Sequence, residues 1–261
     1  MTTYTKHEHG TFSWVDLATT DAASAKKFYG GLFGWTFDDM PAGPGSTYSM
    51  CKLGGKRVCA LYTMGREMQG VPPNWTSYVT VDDVDATTKK AAANGGTIIK
   101  DAFDVMDVGR MSLVQDPSGA VLALWQAKKH HGADVKNEPG ALTWNEVFTT
   151  NVDAAGKFYA QTLGWKTEAV DMGKMGTYTL FQNAGEKNNA GGMMAMPPNM
   201  KGVPSHWLAY FQVTDCDAST KKVGELGGKV MMPPMDIPNI GRFSIVQDRE
   251  GATFGLFKMG H

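Results

Sequence analysis

Cysteine is scarce in this 261-residue chain: Cys51, Cys59 and Cys216 are odd in number, and no two have C-x-x-C spacing. That excludes a disulfide framework and a zinc knuckle, and leaves buried thiols in a reducing compartment as the expectation. Neither sign of charge is in excess. The 25 basic and 26 acidic residues leave a formal charge of -1, and no Lys/Arg-rich run could follow a phosphate backbone, so nucleic acid is not an expected partner. Long apolar runs are missing as well. Nowhere do about 18 apolar residues follow one another, and the opening MTTYTKHEHGTF holds no apolar core of signal-peptide type. A membrane partner is therefore not expected, and the cytoplasm is the expected location. Hydrophobic residues at 42% and charged residues at 20% are ordinary globular values, in a chain long enough for two cores.

What the chain does contain is a repeat. The segment GTFSWVDLATTDAASAKKFYGGLFGW from Gly10 lies over GALTWNEVFTTNVDAAGKFYAQTLGW from Gly140, 130 residues on. GVPPNWTSYVTVDDVDATTKK from Gly70 then matches GVPSHWLAYFQVTDCDASTKK from Gly202, and GRMSLVQDPSG from Gly109 matches GRFSIVQDREG from Gly241, both at an offset of 132. Two residues were thus inserted in the second copy between Tyr178 and Gly202, near Asn188 and Asn189. Two copies at so long a period indicate duplication and exclude a solenoid. The expected organisation is an N-terminal module over 1–127, a polar linker with Pro and Gly over 128–139, and a C-terminal module over 140–261.

Each copy reads as strand, helix and three strands, used twice. FSWVDLA alternates as a strand, and Thr20 or Asp21 caps a helix through Ala25, Phe28, Tyr29 and Leu32 that Gly34 stops. Short strands follow over 35–38, 47–52 and 57–62, the last two joined at Gly54-Gly55. The second half restarts with TSYVTVDD, continues in a helix over 84–93, and ends in strands around Ile98, 111–114 and 121–125. Methionine is frequent at 17 residues, and flexible core filler is the favoured reading over an adaptable ligand wall.

This doubled strand–helix–three-strand unit, with F-Y-x-x-x-(L/F)-G-W closing the first helix and D-P-x-G before the last strand, resembles the vicinal oxygen chelate superfamily. That group includes glyoxalase I, extradiol dioxygenases and bleomycin-resistance proteins. The resemblance covers 10–127 and 140–259. It implies an α+β fold in which each module curls eight strands into an open barrel-like cleft with helices on the outer face. In metal-using members four strand positions carry the ligands. Here the resemblance places them at Trp14, Ala60, Thr76 and Ala123, and at Trp144, Gly192, Leu208 and Gly255. None is His, Asp, Glu or Cys, so neither a catalytic metal nor any other cofactor is expected. His7, Glu8, His9, His130 and His131 read as exposed terminal and loop residues. His206 stands close to a former ligand position and is kept as an acid–base partner for Glu146.

Strand alternation turns Trp14 and Asp16 towards the cleft, with Val15 and Leu17 towards the helix, and gives Trp144 and Glu146 in the second module. The same parity adds Tyr78 and Tyr210. Tyr48 with Tyr178, Trp125 with Phe257, and Arg110 with Arg242 complete the expected lining, the arginines standing opposite a core face made by Met111 and Leu113 or Phe243 and Ile245. Aromatic walls with a few polar groups suit a flat organic molecule. An aromatic core with internal Asp16–Arg110 and Glu146–Arg242 salt bridges fits the same residues.

The leading functional expectation is metal-independent binding of a small aromatic or amphipathic molecule, as in sequestration. The alternative is a metal-free lyase, isomerase or hydroxylase with Glu146 or Asp16 as general base and Arg242 or Arg110 holding an oxyanion. Glyoxalase or dioxygenase chemistry with a metal ranks below both, and vestigial clefts would leave a purely structural role. The internal duplication makes a monomer reasonable beside a homodimer.

Overall fold

The computed structural model describes residues 2–43, 45–173, 176–183, 189–200 and 202–260. Asn188, where the two-residue insertion was placed, lies outside them. The first repeat runs β1 (Phe12–Thr19), α1 (Ala22–Phe33), β2 (Thr36–Pro41), β3 (Thr47–Leu53), β4 (Lys56–Thr63), β5 (Asn74–Thr80), α2 (Val84–Ala93), β6 (Thr97–Val105), β7 (Gly109–Gln115) and β8 (Val121–Ala127). The second runs β9 (Leu142–Thr149), α3 (Val152–Leu163), β10 (Lys166–Asp171), β11 (Thr177–Gln182), β12 (Asn189–Ala195), β13 (His206–Gln212), α4 (Cys216–Glu225), β14 (Lys229–Ile237), β15 (Gly241–Gln247) and β16 (Thr253–Met259). No helix is long and apolar enough to cross a membrane among the described residues.

Each repeat forms one eight-stranded sheet, in the orders β2-β3-β4-β1-β5-β8-β7-β6 and β10-β11-β12-β9-β13-β16-β15-β14. The first strand of each half-unit sits at the centre: β1 pairs antiparallel with β5 and parallel with β4, while β5 pairs parallel with β8. The helices begin where the sequence demands it. Asp21, Asn151, Asp83 and Asp215 each accept a hydrogen bond from the backbone N–H three residues on, satisfying one of the free donors of the first turn. Gly34 and Gly164 end α1 and α3 in the left-handed region, with φ of 73° and 74°.

The helices cover the convex faces of the sheets, and there they become the seam between the two repeats. One buried cluster joins Val15, Leu17, Phe28 and Tyr29 to Phe211, Val223, Phe254 and Leu256 of the second repeat. Another joins Phe12, Val79 and Leu124 to Phe158, Tyr159, Trp165 and Trp207. Hydrogen bonds follow the same pseudo-twofold. Tyr29 Oη donates to Asp248 Oδ2 at 2.9 Å and Tyr159 Oη to Asp116 Oδ2 at 2.8 Å, while Trp75 and Trp207 donate to these tyrosines at 3.1 and 2.8 Å. Trp35 Nε1 reaches the Gly140 carbonyl at 2.7 Å and Trp165 Nε1 the Gly10 carbonyl at 2.9 Å. The repeated Phe-Tyr, Gly-Trp and Asp-turn motifs therefore hold one repeat to the other.

The segment 128–139 has no helix or strand but packs tightly. Ala133 N–H donates to the Ser13 carbonyl and Asp134 N–H to the Arg57 carbonyl, both at 2.8 Å, so the chain wedges between β1 and β4 where these strands part. Arg57 returns the contact, its backbone N–H and guanidinium bonding the Asp134 carboxylate at 2.7 to 3.2 Å. Ala133 and Val135 are fully buried.

Candidate ligand-binding cleft

Val15 and Leu17 pack on α1, so the pleat turns Trp14 and Asp16 to the concave side of the sheet. There, with Tyr48, Met50, Tyr78 and Trp125, they line a cavity of about 360 Å³. The mouth is apolar and flexible in composition: Met40, Pro41 and Ala42 of one edge strand and its turn stand on one side, and Val105, Met106 and Val108 on the other. Met40, Met50, Met106 and Met111 line the cavity, while Met193 is buried in the core.

The indole and phenol groups of Trp14, Tyr48 and Tyr78 are spent on one another and on one oxygen of Asp16. Trp14 Nε1 donates to Tyr48 Oη at 2.9 Å, Tyr48 Oη donates to Asp16 Oδ2 at 3.0 Å, and Tyr78 Oη donates to the same oxygen at 2.8 Å. Asp16 Oδ1 is buried without a partner. Burial pushes the Asp16 carboxyl up to about 6 against the opposing pull of the two phenols, and burial also raises both phenols well above their usual range. The second repeat has the same relay with a longer acid. Trp144 Nε1 donates to Tyr178 Oη at 2.9 Å, and Tyr178 Oη donates to Glu146 Oε2 at 3.1 Å. Burial carries Glu146 up to about 7, the Tyr178 bond opposing it. Phe148, Leu208, Tyr210 and Ile245, with Trp144, Met194, Met232, Phe243 and Phe257 against them, make the apolar wall.

The residues at the family's ligand positions do not fit a divalent ion. Ala60 stands beside Asp16 and Ala123 beside Tyr78 in the strand register, Gly192 beside Glu146 and Gly255 beside Tyr210. A Cβ at Gly192 would overlap the Tyr178 hydroxyl, and one at Gly255 would overlap the Tyr210 ring. In the second repeat, tyrosine occupies the space that ligand side chains would need. Asp16 accepts from the Tyr48 and Tyr78 phenols, and Glu146 from the Tyr178 phenol. No group of three or more His, Cys, Asp or Glu side chains comes together among the described residues.

The arginines correct the sequence expectation. Arg110 Nε and Nη2 bond Asp85 at 2.8 and 2.9 Å, and Arg242 Nε and Nη2 bond Asp217 at 2.7 and 2.9 Å, with Asp236 taking Arg242 Nη1 at 2.9 Å. Asp85 and Asp217 lie in the first turns of α2 and α4, so both guanidinium groups tie strand to helix on the convex side. The inverted parity has a simple cause. Met111 and Leu113, assigned to the helix side because they are apolar, pack in the cleft, and the Ser112 hydroxyl meets Thr88 of α2 at 2.7 Å. Apolar side chains line the concave face as well as the convex one. The internal Asp16–Arg110 and Glu146–Arg242 bridges are likewise replaced by phenol and helix partners.

Two histidines read as exposed are buried: His7 is 6% and His130 8% exposed. His7 Nε2 donates to the Ala133 carbonyl at 2.9 Å, and burial followed by the charge of Lys136 lowers it to about 4. His130 reaches the first cleft because segment 128–139 folds back, and its ring meets Trp14 edge-on at 4.6 Å. Nothing in local spacing signals that contact. His206 stacks on Phe148 at 5.5 Å and its Nδ1 donates to the Pro204 carbonyl at 2.9 Å. Leu208, not His206, pairs across from Glu146.

The family model described as the Glyoxalase/Bleomycin resistance protein/Dioxygenase superfamily matches residues 11–124 and again 140–256. A Mycobacterium tuberculosis protein, CFP32, whose name carries a provisional glyoxylase assignment, is 44% identical over 97% of this chain and 96% of its own. The anthracycline biosynthesis protein DnrV of Streptomyces peucetius is 35% identical over 98% of this chain and 95% of its own. Among solved structures, the Mn(II)-bound glyoxalase of Novosphingobium aromaticivorans superposes with a TM-score of 0.66 at 14% identity, covering 96% of this chain and 82% of that one. The 2,3-dioxygenase LapB of Pseudomonas sp. KL28 gives 0.66 at 14% identity, covering 100% and 94%. With the model matching both repeats and these relatives aligned end to end, this chain belongs to the Glyoxalase/Bleomycin resistance protein/Dioxygenase superfamily.

Proposed function

We propose that this chain binds a flat aromatic or amphipathic small molecule in the cleft of the first repeat, and does so without a divalent metal. The observation that carries the reading is the cavity itself. It has about 360 Å³ walled by indole, phenol and methionine side chains, and its tryptophan and tyrosine donors are already satisfied internally. Such a wall favours apolar contact and stacking and asks few hydrogen bonds of the ligand. The Streptomyces relative, named for anthracycline biosynthesis, accords with a flat aromatic ligand. The test is native mass spectrometry of protein purified without chelator, with metal analysis of the same sample. Metal-free protein carrying an aromatic compound supports binding, and stoichiometric metal contradicts it.

A second reading, acid–base catalysis on such a molecule, is favoured by Asp16 and Glu146, whose carboxyls burial brings to about 6 and about 7. The mycobacterial relative's name points the same way. Turnover would then be lost in Asp16→Asn or Glu146→Gln with binding kept.

A further inference from the structure

The polar atoms of the first cleft can be followed to their partners, and two are left over. Trp14 is spent on Tyr48, and Tyr48 and Tyr78 on Asp16 Oδ2. Trp125 Nε1 donates to the His130 carbonyl at 2.9 Å. Asp16 Oδ1 and His130 Nε2 remain, both buried and both without a partner, on two residues that line the same cavity. A buried polar atom left unpaired is costly, so a pair of them in one aromatic cleft marks where a ligand supplies the missing bonds.

The imidazole tautomer follows from its neighbour. Arg57 Nη1 stands 3.2 Å from His130 Nδ1, and a guanidinium can only donate, so Nδ1 accepts and Nε2 carries the hydrogen. Burial, then the Arg57 charge, keeps the ring neutral by lowering it to about 4. Nε2 is therefore a donor. Asp16 Oδ1, on a carboxylate ionised at neutral pH, is an acceptor. Both residues neighbour Trp14: the His130 ring packs perpendicular to it with centroids 4.6 Å apart, and Asp16 lies two residues along the same strand face, about 7 Å on. Arg57 behind the imidazole is itself paired with Asp134, so Asp16 keeps its charge and is matched by a neutral donor such as a hydroxyl.

We propose that His130 and Asp16 form a two-point recognition site for a planar aromatic ligand bearing both a carbonyl-type oxygen and a hydroxyl group, the oxygen accepting from His130 Nε2 and the hydroxyl donating to Asp16 Oδ1. This rests on the binding reading above and adds the ligand's chemical class. It also gives segment 128–139 a function, since it delivers the donor to the cleft.

The test is calorimetric titration of the full chain with four probes: 6-acetyl-2-naphthol, 2-naphthol, 2-acetylnaphthalene and naphthalene. The hydroxy-ketone is expected to bind about tenfold tighter than either singly substituted compound, the effect of one buried hydrogen bond. His130→Phe should erase the preference for the carbonyl and keep that for the hydroxyl, while His130→Gln, which retains an N–H donor, should restore part of it. If all four bind alike, the two-point site is overturned and the binding reading stands. If none binds, both fall. A folded His130→Phe that keeps the tenfold carbonyl preference overturns the role of His130; if that variant does not fold, the wild-type series and His130→Gln still decide.

Discussion

Tyr29 of the first repeat donates its hydroxyl to Asp248 of the second across 2.9 Å, while accepting from Trp75 Nε1 at 3.1 Å. The bond is the mate of Tyr159 to Asp116. Because the same residue types recur in each copy, every half of the seam is fastened by both repeats.

Tyr29→Phe removes a donor from a buried carboxylate and an acceptor from a buried indole. It should destabilise the chain by about 1–3 kcal/mol in urea unfolding, and the Tyr29→Phe/Tyr159→Phe pair should lose nearly the sum, since the two relays lie in separate clusters. A pair effect no larger than either single change would show that the relays are not independent.

A raised carboxyl works against stability as pH rises. Asp16 moves from an ordinary 3.8 to about 6 in the folded chain, so between these values the folded state holds more protons than the unfolded one, and its contribution falls as pH climbs from about 4 to about 6. Asp16→Asn should therefore gain on the native protein across that window, by on the order of 3 kcal/mol, and run parallel to it above. For Glu146→Gln the window extends to about 7. Denaturation midpoints against pH would show it, and a constant difference from pH 4 to 7 would refute it.

The close approach of tyrosine to glycine in the second cleft predicts that Gly255→Ala costs about 1–3 kcal/mol by overpacking, because a Cβ there meets the Tyr210 ring. Tyr210→Ala in the same chain should recover part of the loss. Equal stability of Gly255→Ala and the native chain would mean that the ring moves aside freely.

Arg110 bonds Asp85 and Asp104 outside the cleft. Arg110→Met should then change ligand affinity less than twofold in calorimetry and leave the denaturation midpoint nearly unchanged. A tenfold loss of affinity would return the arginine to the site.

These outcomes also mark what the chain's letters reveal. The repeat, the helix caps Asp21 and Gly34, and the Val15/Leu17 against Trp14/Asp16 alternation are local patterns, and they can be read directly. The Arg110 side cannot, since both faces of the sheet carry apolar side chains, and Met111 and Leu113 pack on the cleft face. His130 is illegible for another reason: its burial depends on segment 128–139 wedging between β1 and β4, through contacts with Arg57, 73 residues away. The motifs that identified the family, Phe-Tyr and Gly-Trp, belong to the seam and carry no information about the ligand.

The central claim is that the first cleft binds an aromatic molecule without metal. Calorimetric titration of chelator-treated protein with 2-naphthol, in the native chain and in Trp14→Ala and Trp144→Ala, tests it most directly. The account predicts binding with no metal added, weakened at least tenfold by Trp14→Ala and little changed by Trp144→Ala. Binding that appears only after a divalent ion is restored, or that ignores Trp14, would contradict it.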